Sequence, residues 1–205
     1  MIENLKKFLK ENKKKYLIFD FDETIVNLHF DLDPLRDMMR KEIKKFAPEL
    51  IKKYPSGSTF KLHFEAIASY GSYARKIILD IADKYEQQYD RNVTVNEELC
   101  SFIKSNVDEY RMYIWSINTQ RTIQKYLQRI KLKKCFDRII ARDDVDFIKY
   151  FPDGFYLLFD PRSQKRGDYL LIGDSDKSDK GAAENCGIDF FKVDPLKITW
   201  KKVAV

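Results

Sequence analysis

The sequence predicts an α/β protein in which a block of helices interrupts a parallel sheet after its first strand. The first observation is a series of short apolar runs that end in polar residues and are separated by helical patterns. The second is a long stretch, residues 27–109, that reads as one helix after another. With 205 residues, 44% of them hydrophobic, the chain can form a hydrophobic core as one domain with an insertion or as two small domains.

Five apolar runs are predicted to be the strands of the sheet. They lack the alternation of polar and apolar residues that marks a half-exposed strand, and this is typical of strands covered on both faces. In chain order the runs cover residues 15–19, 112–115, 138–141, 169–172 and 189–193.

Helical patterns separate the later runs. The first starts at Thr119, with apolar residues at helical spacing up to Ile130 and with Asn118 or Thr119 as its cap. The second covers 153–159, and the third covers 178–186 with Gly187 at the position that commonly ends a helix. Strands that alternate with helices predict a parallel sheet in a doubly wound fold.

The stretch between the first two strands follows another pattern. It predicts five helices and no convincing strand, with a turn at Pro55–Ser58; the helices cover residues 34–46, 48–54, 59–70, 73–88 and 96–105. About 80 residues are too many for an ordinary connection, so we expect an inserted helical domain. The predicted organisation is a core formed by residues 1–26 and 110–205, and a helical cap formed by residues 27–109.

Acidic residues follow two of the predicted strands. Asp20 and Asp22 come after the first strand, and Asp174 and Asp179 come after the fourth. Ligands of open α/β sheets bind beyond the carboxyl ends of the strands, so we expect these carboxylates to converge. An oxygen-rich site without His or Cys suits Mg²⁺ and argues against zinc.

Residues of the opposite character lie near the other strand ends. Ser116 and Asn118 follow the second strand, and Lys149 precedes a helix start. A hydroxyl, amides at a helix N-terminus and an ammonium group are what a phosphate requires. Carboxylates with Mg²⁺ beside a phosphate site suggest phosphoryl transfer, in which an aspartate can be the nucleophile.

Four motifs together resemble the haloacid dehalogenase superfamily, in the family's order. The last of them, with the helix that follows it, reads GDSxxxDxGAxxxxGI, and this makes the combination specific where a lone DxDxT would be weak. The matching segments are Asp20–Thr24 (DxDxT), Trp115–Asn118, Lys149, and Gly173–Asp179 with Gly181–Ile188. The resemblance implies a Rossmann-like three-layer core with a helical cap between the first two motifs, as in proteins of the phosphoglycolate phosphatase and beta-phosphoglucomutase type.

The resemblance also implies a role for each matched residue. Asp20 would attack phosphorus, and Asp22 would protonate the leaving group and then deprotonate the hydrolytic water. The implied phosphate-binding residues are Thr24, Ser116, Asn118 and Lys149. The implied metal site comprises Asp20, the backbone carbonyl of Asp22, Asp174 and, in the outer shell, Asp179.

One departure leaves the identity of the family's lysine open. The family often has proline directly after this lysine, whereas Lys149 is followed by Tyr150-Phe151 before Pro152. Lys165 is the alternative, because it lies nearer to Asp174 in sequence. Lys149 is preferred because it precedes a helix start.

The expected function is that of a Mg²⁺-dependent phosphatase, acting on a small phosphorylated metabolite through an aspartyl phosphate. Dehalogenases of this family lack the second aspartate, which stands here at position 22. A helical cap excludes water and selects small substrates. The alternatives are a sugar phosphomutase of the same fold, a polynucleotide or nucleotide phosphatase, and a binding module without turnover.

Composition bears on partners and location. The net charge of +6 comes from 38 basic and 32 acidic residues, and the basic residues are mostly Lys, which more often coats a surface than reads phosphates. A nucleic-acid partner is therefore disfavoured. No apolar run approaches the roughly 20 residues of a membrane span, and residues 1–15 lack the centre of a signal peptide. Cys100, Cys135 and Cys186 are predicted to be buried thiols, so we expect a cytoplasmic protein.

Overall fold

The computed structural model describes residues 1–55, 59–88 and 93–203. The helices and strands of the described residues are, in chain order, α1 (Ile2–Asn12), β1 (Tyr16–Phe19), β2 (Val26–Asn27), α2 (Leu32–Phe46), α3 (Pro48–Lys53), α4 (Thr59–Gln88), β3 (Thr94–Asn96), α5 (Glu97–Ser105), β4 (Arg111–Trp115), α6 (Gln120–Arg129), β5 (Arg138–Ile140), α7 (Asp153–Tyr156), β6 (Tyr169–Gly173), α8 (Gly181–Cys186), β7 (Asp189–Lys192) and β8 (Trp200–Lys202).

Five strands form one parallel sheet in the order β5-β4-β1-β6-β7. These strands correspond to the five apolar runs, and the predicted α/β fold with a helical insertion is confirmed. Strand β1 is central, and Phe19 at its end lies opposite Ile114 of β4 and Ile172 of β6. The side chains of Leu17, Ile18 and Phe19 are fully buried, as expected for a strand that is covered on both faces.

The helices between these strands agree with the predicted ones, with two differences at their ends. Helix α7 ends at Tyr156 rather than Phe159, but the chain continues as a turn, in which the N–H of Phe159 donates to the carbonyl of Phe155 at 2.9 Å. Helix α8 is preceded by one π-helical turn, Asp176–Lys180. As predicted, α8 ends at Gly187, whose φ of 64° is left-handed.

A second sheet corrects the expectation that residues 27–109 contain no strand. It is antiparallel, with the order β2-β3-β8, and joins Val26–Asn27 and Thr94–Asn96 to Trp200–Lys202 near the carboxyl end. Strands of two or three residues are too short to produce a periodic pattern in the sequence. Their pairing depends on residues that are distant along the chain.

The chain forms two compact units. One unit consists of Met1–Leu28 and Arg91–Val205, and it contains both sheets. The other, His29–Asp90, contains α2, α3 and α4. The helical unit is thus shorter than the predicted cap of residues 27–109, because β3 pairs within the first unit and α5 packs there against α1.

The helical unit has an apolar core of its own. Helix α4 is interrupted at Gly71, where a φ of 56° breaks the helical geometry, so it consists of two helices as predicted. Both parts of α4 pack their apolar faces on α2 and α3 around Met39, Ile43, Leu62 and Ile78. The predicted turn at residues 55–58 lies outside the described residues, except for Pro55.

Two further expectations concern membrane-spanning helices and the burial of the cysteines. None of the helices found there combines the length and the apolarity that spanning a lipid bilayer requires. All three cysteines are free; Cys100 and Cys186 are buried as predicted, but Cys135 is only half-buried.

Candidate active site

The site lies at the carboxyl end of the parallel sheet, where three neighbouring strands end in polar residues. Asp20 follows β1, Ser116 follows β4, and Asp174 follows β6. The strand register aligns Phe19 with Ile114 and Ile172, so the chain after β1 leaves the sheet between the ends of β4 and β6. The N–H of Asp20 still donates to the carbonyl of Ile172 at 2.8 Å, which fixes the backbone where β1 ends.

Lys149 connects two of the predicted carboxylates. Its ammonium Nζ lies 2.6 Å from Oδ1 of Asp20 and 2.5 Å from Oδ1 of Asp179. The Lys149 side chain is only 1% exposed and also lies over the Trp115 ring, with Nζ 5.9 Å from the ring centroid. A buried ammonium between two carboxylates is a charge-assisted arrangement with little access to water.

Three carboxylates are close enough to share a cation. One oxygen from each of Asp20, Asp174 and Asp179 lies within 4.8 Å of the other two. Asp179 is fully buried, and both of its oxygens are engaged: Oδ1 by Lys149, and Oδ2 by the N–H of Ser175 at 3.0 Å. Asp174 is half-buried. Oxygen donors without sulfur or imidazole fit Mg²⁺, with Asp20 and Asp174 as the carboxylates best placed to bind it directly.

The close contact between Asp179 and the end of β6 requires a glycine at position 173. A Cβ atom at Gly173 would lie 2.5 Å from the carboxyl carbon of Asp179, which is closer than real Cβ contacts. The end of β6 and the buried Asp179 carboxylate can therefore come together only if residue 173 has no side chain.

Burial raises the pKa of the acidic groups at the site. The pKa of Asp20 rises to about 8, because desolvation and the Asp179 and Asp174 charges outweigh the attraction of Lys149. Burial and the Asp179 charge raise the pKa of Asp174 to about 7. For Lys149, burial lowers the pKa, but the charges of Asp179 and Asp20 outweigh this and raise it overall.

Asp22 lies in a separate environment within the loop that follows β1. Its Oδ1 accepts hydrogen bonds from the N–H of Leu28 at 2.8 Å and from the N–H of Glu23 at 3.1 Å. Desolvation outweighs these bonds and raises the pKa of Asp22 to about 7. Its carboxyl group is thus poised between its two protonation states near neutral pH.

Ser116 and Asn118 are buried together at the end of β4. The Ser116 hydroxyl donates to Oδ1 of Asn118 at 2.9 Å, and the N–H of Asn118 donates to that hydroxyl at 3.3 Å. Buried Arg142, two residues after the end of β5, supports this segment: its Nε donates to the carbonyl of Ile117 at 2.8 Å, and its backbone N–H donates to the carbonyl of Asn118 at 3.0 Å. Applied to β5, the strand-end rule could have drawn attention to Arg142.

Thr24 and Lys165 are not part of the central cluster. Thr24 has no exposed surface, and its hydroxyl has no hydrogen-bond partner among the described residues. Its carbonyl accepts from Nδ2 of Asn96 at 3.1 Å. Lys165 is exposed and precedes a helical turn at Arg166–Asp168, whereas Lys149 contacts Asp20 directly. Asn96 was missed as a site residue; the only sequence signal was its position at the start of a predicted helix.

Comparisons with known proteins agree with this architecture. The family profile described as haloacid dehalogenase-like hydrolase matches residues 17–193. A search among curated proteins found no match.

Solved structures with a similar fold have low sequence identity to the chain. A protein from Bacteroides fragilis, described as a haloacid dehalogenase-like hydrolase, has a TM-score of 0.59 and 21% identity over 89% of this chain and 88% of its own. One from Haemophilus somnus, described as a predicted phosphoglycolate phosphatase, has a TM-score of 0.57 and 16% identity over 88% and 85%. A magnesium-bound Bacillus subtilis protein of the same type has a TM-score of 0.52 and 19% identity over 86% and 87%. At these identities the similarity concerns the fold.

Proposed function

Because the chain belongs to the haloacid dehalogenase-like hydrolases, we propose that it is a Mg²⁺-dependent phosphatase that hydrolyses a small phosphorylated metabolite. The observation that carries this proposal is the contrast between Asp20 and Asp22. Asp20 is buried 2.6 Å from the Lys149 ammonium and close to the Asp174 and Asp179 carboxylates, whereas the Asp22 carboxylate accepts two backbone N–H groups within its own loop. One aspartate is suited to be a nucleophile, and the other to move a proton.

In the first step, a carboxylate oxygen of Asp20 forms a bond to phosphorus while the bond from phosphorus to the leaving oxygen breaks. Asp22 donates its proton to that oxygen, since an alkoxide is a poor leaving group without one. A halide needs no such proton, so the presence of Asp22 favours phosphate esters over haloacids. The product of this step is phosphorylated Asp20 and a free alcohol.

In the second step, water attacks the phosphorus of phosphorylated Asp20. Asp22, now a carboxylate, accepts a proton from the water, and the bond from phosphorus to the Asp20 oxygen breaks. Inorganic phosphate leaves, and both aspartates return to their initial states. Asp22 thus serves as acid and then as base, for which a pKa near 7 is well suited.

The other residues bind and orient the phosphoryl group. Ser116 and Asn118 offer a hydroxyl and an amide at the end of β4, next to the strand that carries Asp20. Lys149 offsets the negative charge around Asp20, and its ion pair with the buried Asp179 fixes the position of the Lys149 ammonium. Thr24 is enclosed in the Asp22 loop, so we assign it a role in that loop rather than in direct substrate contact.

A magnesium ion would be held by the carboxylates of Asp20 and Asp174 and the backbone carbonyl of Asp22, with Asp179 behind them. When bound, it supplies positive charge that offsets that of the phosphate and the carboxylates. Held there, its charge would also lower the pKa of Asp20 and favour the carboxylate form that the attack requires.

The test is a screen for phosphate release over sugar, nucleotide and short-acid phosphates, with and without Mg²⁺. We expect release from at least one small ester with Mg²⁺, a covalently phosphorylated Asp20 detectable by mass spectrometry, and loss of both in Asp20→Asn. Asp176→Asn is the matched control, because Asp176 lies in the same acidic segment but is exposed and paired with Lys192 at 2.8 Å.

Other outcomes distinguish the alternatives. Rearranged sugar phosphate without free phosphate would indicate a phosphomutase. Release confined to 3′-phosphorylated oligonucleotides, with strong salt dependence, would indicate a polynucleotide substrate. No release from any ester by a folded, Mg²⁺-loaded protein would contradict the proposal.

A further inference from the structure

Hydrogen bonds within the loop that carries Asp22 hold the loop in its shape. The N–H groups of Ile25 and Val26 donate to the carbonyl of Phe21 at 3.0 and 3.1 Å, and the Asp22 carboxylate accepts the N–H of Leu28. Asp22 therefore keeps its orientation only as long as this loop, residues 21–28, keeps its shape.

Asn96, which lies at the end of β3 and caps α5, forms hydrogen bonds to the same loop. Its backbone N–H donates to the carbonyl of Ile25 at 3.0 Å, and its side-chain Nδ2 donates to the carbonyl of Thr24 at 3.1 Å. The side-chain oxygen accepts the N–H of Leu99 at 3.2 Å and so caps α5. With only 2% of its surface exposed, Asn96 fixes two consecutive carbonyls of the loop to the start of a helix.

Strand β8 holds Asn96 in turn. Asn96 is paired with Trp200, Val95 with Lys201, and Thr94 with Lys202. The indole N–H of Trp200 donates to the carbonyl of Pro195 at 3.0 Å, which anchors β8 to the segment before it. The strand β3 that carries Asn96 is thus paired on both sides, with β2 and with β8.

We propose that Asn96 is a positioning residue for Asp22, and that the carboxyl-terminal strand β8 keeps it in place. The inference rests on the proposed function, in which Asp22 is the acid that protonates the leaving oxygen. Asn96 touches no reacting atom; it sets the backbone from which Asp22 projects. Nothing in the sequence motifs assigns a role to Asn96 or to β8.

The decisive measurement compares two leaving groups. An alkyl phosphate needs a proton from Asp22 when its bond to phosphorus breaks, whereas p-nitrophenyl phosphate releases a stable phenolate and needs little help. The kcat/KM value reports the steps up to the first bond cleavage and therefore excludes the later role of Asp22 as a base. A misplaced Asp22 lowers kcat/KM for the alkyl ester more than for the nitrophenyl ester.

The first variant is Asn96→Asp, which keeps the oxygen that caps α5 but removes the donor to Thr24. We expect kcat/KM for the alkyl phosphate to fall about tenfold more than for p-nitrophenyl phosphate, with the loss in kcat rather than KM. The matched control is Asn106→Asp, the same substitution at the other end of α5, where the amide donates to the carbonyl of Phe102 at 2.7 Å. The control can lose stability but should leave the ratio of the two substrates unchanged.

The second variant tests β8 without touching Asn96. The N–H of Val203 donates to the carbonyl of Val93 at 3.1 Å, so the alternation of an antiparallel pair directs the N–H of Lys201 toward β3 and that of Lys202 away from it. Proline removes this donor, so Lys201→Pro should break the ladder and change the substrate ratio in the direction seen for Asn96→Asp. Lys202→Pro is the control on the outward side of this edge strand, and Lys201→Ala is the control for the ion pair of Lys201 with Glu97, because it removes that pair and keeps the backbone donor.

The outcomes separate this inference from the proposed function. A changed ratio in Asn96→Asp and Lys201→Pro but not in the three controls supports it. An active wild-type enzyme whose folded variants lose both substrates equally, or neither, overturns this inference alone. A wild-type enzyme without phosphatase activity overturns both. If Asn96→Asp does not fold, Lys201→Pro still decides, since faster amide exchange of Ile25 and Val26 without a changed ratio would assign β8 a purely structural role.

Discussion

The two compact units of the chain differ in what they bury. The α/β unit buries an ammonium and two carboxylates at its strand ends, in Lys149, Asp20 and Asp179. The core of the helical unit consists mainly of aliphatic side chains such as Met39 and Leu62, and His63 and Glu86 are the buried polar side chains among its described residues. Buried apolar surface stabilises a fold, whereas buried charge costs free energy even when it is paired. The α/β unit therefore retains groups whose burial opposes folding, as the proposed chemistry at its strand ends would require.

The largest expected effect comes from a substitution of Asp20, which belongs to the buried charged cluster of the α/β unit. Asp20→Asn removes the proposed nucleophile, so we expect kcat to fall by at least about 10³-fold. The same change removes a carboxyl group whose pKa is raised by burial, so the metal-free protein should melt about 2–5 °C higher. Steady-state kinetics and thermal melting of one preparation test both parts. An inactive variant that is also less stable would show that the Asp20 charge stabilises the fold.

The next effect concerns the buried cation. Lys149→Met leaves Asp20 and Asp179 facing each other without an ammonium, which should lower the free energy of unfolding by about 3–5 kcal/mol. Urea denaturation measures this loss, and phosphatase activity should vanish with it.

Lys14→Met is the matched control for Lys149→Met. Lys14 is also buried; it donates to the carbonyl of Gly167 at 2.5 Å and pairs with Asp189, but it precedes β1 at the opposite end of the strand. This variant should lose stability while the folded fraction keeps its kcat. Loss of kcat in both variants would show that stability alone limits activity.

A substitution in the apolar core of the helical unit tests the same comparison of the two units. Leu62→Ala creates a cavity between fully buried aliphatic neighbours, so we expect a loss of about 3 kcal/mol in stability. Because Leu62 belongs to the unit without the charged cluster, kcat for p-nitrophenyl phosphate should change less than about threefold. Hydrogen exchange should be faster in α2 and α4 than in β1 and β4. A large loss of kcat would instead assign Leu62 a part in the reaction.

The smallest effect is the response of stability to pH and magnesium. Burial raises the pKa values of Asp20 and Asp174 from 3.8 to about 8 and about 7, so the folded state binds more protons than the unfolded state in that range, and the metal-free protein loses stability as pH rises from about 4 until the loss levels off above about 8. Mg²⁺ competes with the protons, and its stabilising effect should therefore be larger at pH 8.5 than at pH 6, by about 1–2 kcal/mol. Melting temperatures at both pH values, with Ca²⁺ as a second cation, test this. Equal stabilisation at both pH values would contradict it.

Much of the fold could be predicted because its signals are local. Each of the five parallel strands is an apolar run, and helices α6 and α8 carry recognisable ends in Thr119 and Gly187. The convergence of Asp20 and Asp174 follows from one rule, that parallel strands bring their carboxyl ends to the same edge, and Asp179 joins them from the helical turn after β6. The position of Lys149 beside Asp20 could not be decided by the rule alone, because Lys149 lies in a loop rather than at a strand end.

The remainder depends on contacts between distant segments. Strands β2, β3 and β8 are two or three residues long, and nothing in residues 200–202 indicates a partner near residue 95. The role of Asn96 could not be derived either, since a helix-capping residue has the same sequence pattern whether or not its amide holds another loop. The predicted cap of residues 27–109 includes β3 for the same reason, because the pairing of β3 with β2 and β8 is invisible in its sequence.

The pairing of β2 with β3 has a consequence for the architecture of the chain. Asn27 lies opposite Thr94, so the polypeptide leaves for the helical unit and returns from it at adjacent positions, about 5 Å apart. Such a junction accepts any insert whose ends meet, because closing the insert does not strain the strands that flank it. A two-residue Asn-Gly turn could in principle replace residues 28–93 and complete an ordinary hairpin. The β2–β3 pair, rather than the helical unit itself, therefore fixes where an insert leaves and rejoins the α/β unit.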